Sequence, residues 1–333
     1  GDARQFNESG AVPTNTTHRN ILRSQDENDW HSAETIRLLA SIAALFHDFC
    51  KACAAFQAKL QPGKSKKPLA DAYRHEWISL RLFAAFVASE SDESWLARLA
   101  QLPENASEDC LKRLVRDGLD SGRIVSPFKT LGNLAQIVGW LIVSHHRLPT
   151  TPQVLNERGL QDLPQGIESH WCGQRTESSK NEMTACWTFE HGLPFASQHW
   201  RKHAGKLALE LQQQLARQPL PTSRSPYLMQ LSRLALMLAD HYYSSEASHE
   251  RYGDKVAKSQ ALYANTDRDT GALKQRLDEH LIGVEVNASR IVRSLPRLAD
   301  QLPYLVHRAF RQRASAAFGW QNRAFELAEG LRK

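Results

Sequence analysis

His47 and Asp48 stand side by side at the end of an apolar run, within LFHDFCKACAAFQ at residues 45–57. Both are side-chain types that ligate divalent ions, and three other segments carry similar groups. His75 opens an apolar stripe, His145 and His146 close a second, and Asp240 lies toward the end of a third. Burying imidazole or carboxylate is costly unless each group finds a partner. A lone histidine on an apolar face is most often a hydrogen-bonded core residue. Four separate segments doing this in one chain favour a shared divalent metal centre, which satisfies them together. Imidazole and carboxylate without thiolate suit Mn, Fe, Co, Ni or Zn. Asp48 has two oxygens and can bridge two ions ~3.5–4 Å apart. Adjacent histidines diverge by about 100° on a regular helix, so His145 and His146 both face a metal only at a fraying helix end. Pro149 supplies that end by pushing its predecessor out of helical geometry.

The segments that must position these groups read as helices. Residues 32–46 begin with Ser32 as an expected N-cap, its hydroxyl accepting a backbone N–H, and place Glu34 in the first turn, where the helix dipole favours an acid. The segment then turns apolar on nearly every side, the pattern of a buried helix. Residues 75–88 align His75, Ile78, Leu82 and Phe86. Residues 133–146 align Leu134, Val138, Leu141 and His145. Residues 226–243 align Leu228, Leu231, Ala235 and Leu238 and reach Asp240. Further helices are expected at 203–217, 272–294 and 305–330. Residues 147–200 break the pattern with Pro, Gly, Gln and Ser, and read as a loop-rich insertion with room for a short hairpin. The expected fold class is therefore all-α, a helical bundle with a long insertion. The GKS of QPGKSKKP is no phosphate loop, since Ala58 stands where the first glycine is required and no strand precedes it.

Composition sets the frame. With 333 residues, 41% hydrophobic and 23% charged, the chain can bury a core of ordinary size. No apolar run approaches the ~20 residues of a membrane span, and GDARQFNESG lacks the shape of a signal peptide, so a cytoplasmic protein without a membrane partner is expected. The five cysteines are expected as reduced thiols. Cys50 and Cys53 form a CxxC, but no second pair completes a zinc ribbon. The net charge of +6 resides in residues 290–333, with nine Arg/Lys against three Asp/Glu, leaving 33 against 33 elsewhere. That basic segment suits either a phosphate backbone or a solvated helix face.

The order His47-Asp48, Arg74-His75-Glu76, His145-His146, Ala239-Asp240 resembles the HD superfamily of metal phosphohydrolases. More narrowly, FHDFCKACAAFQAKL, YRHEWISLR and LIVSHHRLP resemble the HD nuclease domain of the CRISPR-associated nuclease–helicase of type I interference. TNTTHRNILRSQDENDWH resembles the F subtype, in which this protein is fused behind an adaptation-type subunit. FGWQNRAF at 318–325 resembles the segment that opens the first motor domain of superfamily 2 helicases. The expected organisation is an HD nuclease domain over 1–310, with the insertion at 147–200, and the start of a linker or first motor segment over 311–333. Cys50 stands where the family pattern has Gly.

The resemblance implies one or two divalent ions (Mn, Ni, Co or Fe, with Mg also compatible) held by His47, Asp48, His75, His145, His146 and Asp240. The family also uses an earlier histidine. His18, 29 residues before His47, has suitable spacing, whereas His31 would lie about 24 Å away along a continuous helix. Asp48 is the implied catalytic bridge, Lys51 the catalytic cation that steadies the phosphate, and Arg147 a nucleic-acid contact. Trp171, Trp187 and Trp200 are candidates for base stacking, with core packing as the alternative. The implied reaction is phosphodiester hydrolysis in single-stranded DNA. The implied partners are the RNA-guided Cascade complex, a helicase domain, the fused adaptation-type subunit and inhibitor proteins. Two rivals need only part of this: an HD phosphohydrolase of nucleotides or cyclic dinucleotides, and a non-enzymatic HD docking module.

Overall fold

The computed structural model describes residues 32–61, 71–148, 163–220, 225–255 and 261–297, together with Arg323. Two compact units divide the chain, Ser32–Arg293 and Gly1–His31 with Ser294–Lys333, and the second lies almost entirely outside the described residues. So do His18, His31, QPGKSKKP after Gln61, and, apart from Arg323, the expected helix at 305–330 and FGWQNRAF.

The described residues are all-α. Ten α-helices run in order: α1 Ala33–Phe46, α2 Ala54–Leu60, α3 His75–Val87, α4 Asp92–Ala100, α5 Ala106–Lys112, α6 Asn133–Ser144, α7 Lys180–Cys186, α8 Gln198–Arg217, α9 Pro226–Ser245 and α10 Leu277–Ser294. Only isolated bridges, such as Tyr263 with Arg276, supply β-type pairing among them. No single described helix is long and apolar enough to cross a membrane.

Helix α1 is the axis of the bundle. It is buried from Thr35 to Phe46 and packs against α6, α8 and α9, which is why its sequence is apolar around its circumference. Ser32 takes the N-cap position, but its backbone is already helical and its hydroxyl makes no capping bond, contrary to expectation. The first turn is held instead by Glu34, which pairs with Arg37 at 2.6 Å.

The far end of α1 is clamped by aromatic packing. Phe46 and Phe49, on either side of His47-Asp48, are fully buried with Phe83, Phe86, Phe195 and Trp200. Phe46 and Trp200 meet edge to face with centroids 5.3 Å apart, and the Trp200 indole donates to the Leu45 carbonyl at 3.0 Å. Each such side chain contributes roughly 1.5–3 kcal/mol by burial, so the turn carrying the His-Asp pair is held from both sides. Trp200 is thus a core residue, as are Trp171 and Trp187, each 5% exposed. Burial removes all three from the candidate base-stacking set.

Helix α6 borrows its N-terminal cap. Asp92, the first residue of α4, accepts from Leu134 N at 2.9 Å and Ala135 N at 3.1 Å, satisfying two orphan donors from another element. The helix ends at Ser144 rather than 146, which gives the fraying end that the His-His pair requires. Two other boundaries shift. Helix α8 starts at Gln198 because Ser197 caps it through Trp200 N, and α10 starts only at Leu277. The insertion holds α7 and short 3-10 turns, with no hairpin among its described residues.

Candidate metal centre

Each helix delivers its ligand at an end or on a buried stripe. His47 is the C-cap of α1, and Asp48 leads into a 3-10 turn over Phe49–Ala52. His75 is the first residue of α3, and His145 the C-cap of α6. Asp240 lies in the buried stripe of α9. Termini place side chains beyond the helix cylinder, where several can converge.

They converge as two groups. His47, Asp48, Asp240 and His280 form one, and Asp48, His75, His145 and His146 the other, with the ligand atoms within each lying inside 4.8 Å of one another. Asp48 is common to both. Its Oδ2 is 3.2 Å from His47 Nε2 and 3.4 Å from His280 Nε2. Its Oδ1 is 4.0 Å from His145 Nε2. Asp240 Oδ1 closes the first group, 3.6 Å from His47 Nε2 and 3.5 Å from His280 Nε2. The rings of His145 and His146 sit 4.0 Å apart, and those of His75 and His146 5.0 Å apart.

The imidazoles are aimed by hydrogen bonds on their other nitrogen. His47 Nδ1 donates to the Ala44 carbonyl at 2.7 Å and His145 Nδ1 to the Ile142 carbonyl at 2.6 Å. A carbonyl only accepts, so these bonds fix the proton on Nδ1 and turn Nε2 inward as a free lone pair whenever the ring is neutral. His280 Nδ1 meets Gln275 Oε1 at 3.1 Å. Nε2 of His47, His145 and His280 and Oδ1 of Asp48 are buried without a hydrogen bond. Buried polar atoms left this way are rare and costly. Donor atoms 3.2–4.0 Å apart fit around a centre about 2.0–2.2 Å from each. The residues therefore fit one or two divalent ions of the kind that imidazole and carboxylate select.

Charge is balanced without metal. Burial opposes ionisation of Asp48, yet Lys51 and His47 hold its carboxyl well below the usual range. Asp240 is also buried, and His280 and His47 hold it ionised. Burial works against the His47 imidazolium, but Asp48 and Asp240 raise its pKa to about 10. His145 is held neutral, near 3, by burial and by the neighbouring His47 and His146. Two carboxylates are thus matched by protonated His47 and by Lys51, whose Nζ lies 2.7 Å from Asp48 Oδ2.

Of the residues expected from sequence, His47, Asp48, His75, His145, His146 and Asp240 come together, and Lys51 touches Asp48. Arg147 is exposed just past the His-His pair. His18 lies outside the described residues, and the position adjoining His47 and Asp240 is filled by His280. The helix expected over 272–294 carries this histidine, which the expected ligand set lacks. The signal was the one used elsewhere, an imidazole among Leu277, Leu281 and Val284 on a buried stripe. Cys50 is buried within the 3-10 turn, its N–H donating to Ser79 Oγ at 3.1 Å, and its φ is not positive. No glycine is needed there, and Lys51 keeps its pairing. All five cysteines are free, and burial raises the Cys50 thiol pKa well above its ordinary value.

The groups differ in access. The first is wholly buried, whereas in the second His75 is half-buried and His146 exposed. A cavity of about 260 Å³ opens beside the second, lined by Lys51, Phe56, Tyr73, His75 and His146 among others.

No family model matches the chain. Two curated relatives align with all of it. One is the CRISPR-associated nuclease/helicase Cas3 subtype I-F/YPEST of Pseudomonas aeruginosa, 52% identical over 341 residues. The other is the protein of the same description from Pectobacterium atrosepticum, 42% identical over 348 residues. In each case the alignment covers 100% of this chain and 31% of the relative, so the chain spans about a third of the length of these proteins. With its whole length matched and its motif residues gathered at one centre, the chain is similar from end to end to about a third of the Cas3 nuclease/helicase proteins of CRISPR subtype I-F.

Proposed function

We propose that this chain is a metal-dependent nuclease unit that hydrolyses phosphodiester bonds of single-stranded DNA in CRISPR interference, in the cytoplasm. The observation that carries the reading is that one carboxylate, Asp48, belongs to both groups of convergent ligand atoms. His47, Asp48, Asp240 and His280 would hold one ion, and Asp48, His75, His145 and His146 a second. Such ions supply an acidified water as nucleophile and offset charge on the phosphate oxygens.

The chain's own residues do the rest. The exposed edge at His75 and His146 is where a strand can reach the centre. Lys51 stands on that cavity wall, 2.7 Å from Asp48 Oδ2, where its ammonium would steady a phosphate oxygen. Arg147, exposed directly after His146, supplies a second cation. In the longer protein the partners are a helicase portion that feeds the strand, the Cascade complex that recruits it, a fused adaptation-type subunit, and inhibitor proteins that block these contacts.

The nucleotide-phosphohydrolase rival needs an enclosed pocket at the ligands. The cavity there is about 260 Å³, below the ~300–1,000 Å³ usual for small-molecule sites, while the larger one of about 720 Å³ is lined by none of the ligands. A docking module would have no use for buried, unbonded donor atoms. The deciding experiment is Asp48→Asn, which keeps shape and removes charge, assayed in Mn²⁺ on single-stranded DNA and on nucleoside phosphates. Loss of DNA cleavage with an unchanged circular dichroism spectrum is expected. Undiminished DNA cleavage, or turnover of the small molecules alone by the parent chain, overturns the reading.

A further inference from the structure

Three arginines are buried among the described residues: Arg37, Arg81 and Arg233, at 4%, 7% and 8% exposure. Two have the partners that a buried guanidinium requires. Arg37 is held by Glu34 and Glu210. Arg81 makes a forked pair with Asp117, at 2.6 Å to each oxygen. Among the described residues, Arg233 has no carboxylate partner. Its Nε donates to the Ser144 carbonyl at 2.8 Å, and no acidic group opposes the downward pull of burial on its pKa. The two terminal nitrogens carry four further N–H donors, and these atoms are not sealed from solvent.

The position of this cation is informative. Ser144 is the last residue of α6, directly before His145, His146 and Arg147. Arg233 lies on α9, the helix that carries Asp240, two turns or about 10 Å earlier along the axis. The His241 ring of α9 is 6.4 Å from the His146 ring, so the end of α6 and the flank of α9 adjoin beside the metal groups. A buried cation without a counter-charge is poorly accounted for by stability alone. Its stem is fixed and its fork is open, the geometry that binds a phosphate through two parallel N–H bonds.

We propose that Arg233 grips a phosphate of the DNA strand beyond the scissile one, so that the strand lies along the seam between α6 and α9 and its register at the metals is set there. The proposal rests on the nuclease reading. Helix capping explains the Nε bond, since a cation near the last carbonyls of α6 is favoured by the helix dipole. It leaves the terminal nitrogens without a role.

The test is equilibrium binding of a fluorescent oligothymidylate to the full 333-residue chain in EDTA, across a salt series, with Mn²⁺ stoichiometry measured in parallel. Arg233→Gln keeps a donor for the Ser144 carbonyl and removes the charge. It is expected to weaken binding five- to tenfold and to lower the slope of log affinity against log salt by about 0.7, one phosphate contact on a single strand, with the stoichiometry unchanged. Arg233→Lys keeps the charge without the fork, so the slope is retained with a two- to threefold loss of affinity. That variant decides the matter if the glutamine variant does not fold. An unchanged slope in Arg233→Gln, full affinity in Arg233→Lys, or no binding by the parent chain overturns the assignment. Cleavage by the parent chain in Mn²⁺ is read separately, so the nuclease reading can stand while this one falls.

Discussion

His280 Nε2 lies 3.4 Å from Asp48 Oδ2, joining the first turn of α10 to the turn after α1 and completing a buried set of four ligand atoms. His280→Ala is therefore expected to cost one ion of two. Losing an outer hydrogen bond to a metal ligand already weakens binding ~10–100-fold, and losing the ligand itself should weaken it at least as much. The group of Asp48, His75, His145 and His146 should keep its ion. Metal content after dialysis against trace Mn²⁺, by plasma mass spectrometry, reads this directly. A ratio that stays at two excludes His280, and His18→Ala, examined alongside, shows whether the earlier histidine takes its place.

Much of this centre is legible in the amino-acid sequence alone. Polar groups on apolar stripes are conspicuous because they are expensive, and six of the seven residues that converge stand out on that ground: the pair His47 and Asp48, then His75, His145, His146 and Asp240. That this helix ends beside the His-His pair was legible because Pro149 restricts what precedes it, although the helix stops at Ser144 rather than 146. His280 was missed because it directly follows Asp278 and Glu279, so within the helix expected over 272–294 it reads as one more member of a solvated polar stretch. The cap on α6 could not be read locally, since Asp92 comes from a distant segment. The tryptophans of the insertion looked available for stacking because a loop-rich sequence does not reveal that its aromatics fold back into the core.

Metal uptake should release a proton, and His47 should be its source. Without metal, Asp48 and Asp240 raise its pKa to about 10, against an ordinary value of 6.5. A group raised in this way stabilises the fold fully below pH 6.5, and that contribution is lost as pH rises through 10. A metal ligand must be neutral, so affinity at the His47 group should rise about tenfold per pH unit between these limits. His145, already neutral near 3, contributes nothing. Calorimetric titration with Mn²⁺ at pH 8, in buffers of different ionisation enthalpy, should show about one proton released as that group fills. Heats independent of buffer would mean that His47 is neutral before metal arrives.

Gly283 brings α10 close enough for His280 to reach the centre. A Cβ built there would stand 2.0 Å from Cζ of Tyr243 on α9. Tyr243 is itself fixed, its hydroxyl donating to Glu279 Oε1 at 3.2 Å, and Glu279 is the neighbour of His280. Gly283→Ala must therefore displace either the ring or the helix. Overpacking of this kind costs roughly 1–3 kcal/mol, read as a lower urea midpoint in metal-free protein. The displacement also draws His280 from Asp48, so the buried group should lose about tenfold in Mn²⁺ affinity while the exposed group is unaffected. Adding Tyr243→Ala removes the clash and should recover metal affinity, though not stability, because a buried ring has been lost. If Gly283→Ala destabilises the protein but leaves both affinities intact, the contact between α9 and α10 is packing alone and does not set the position of His280.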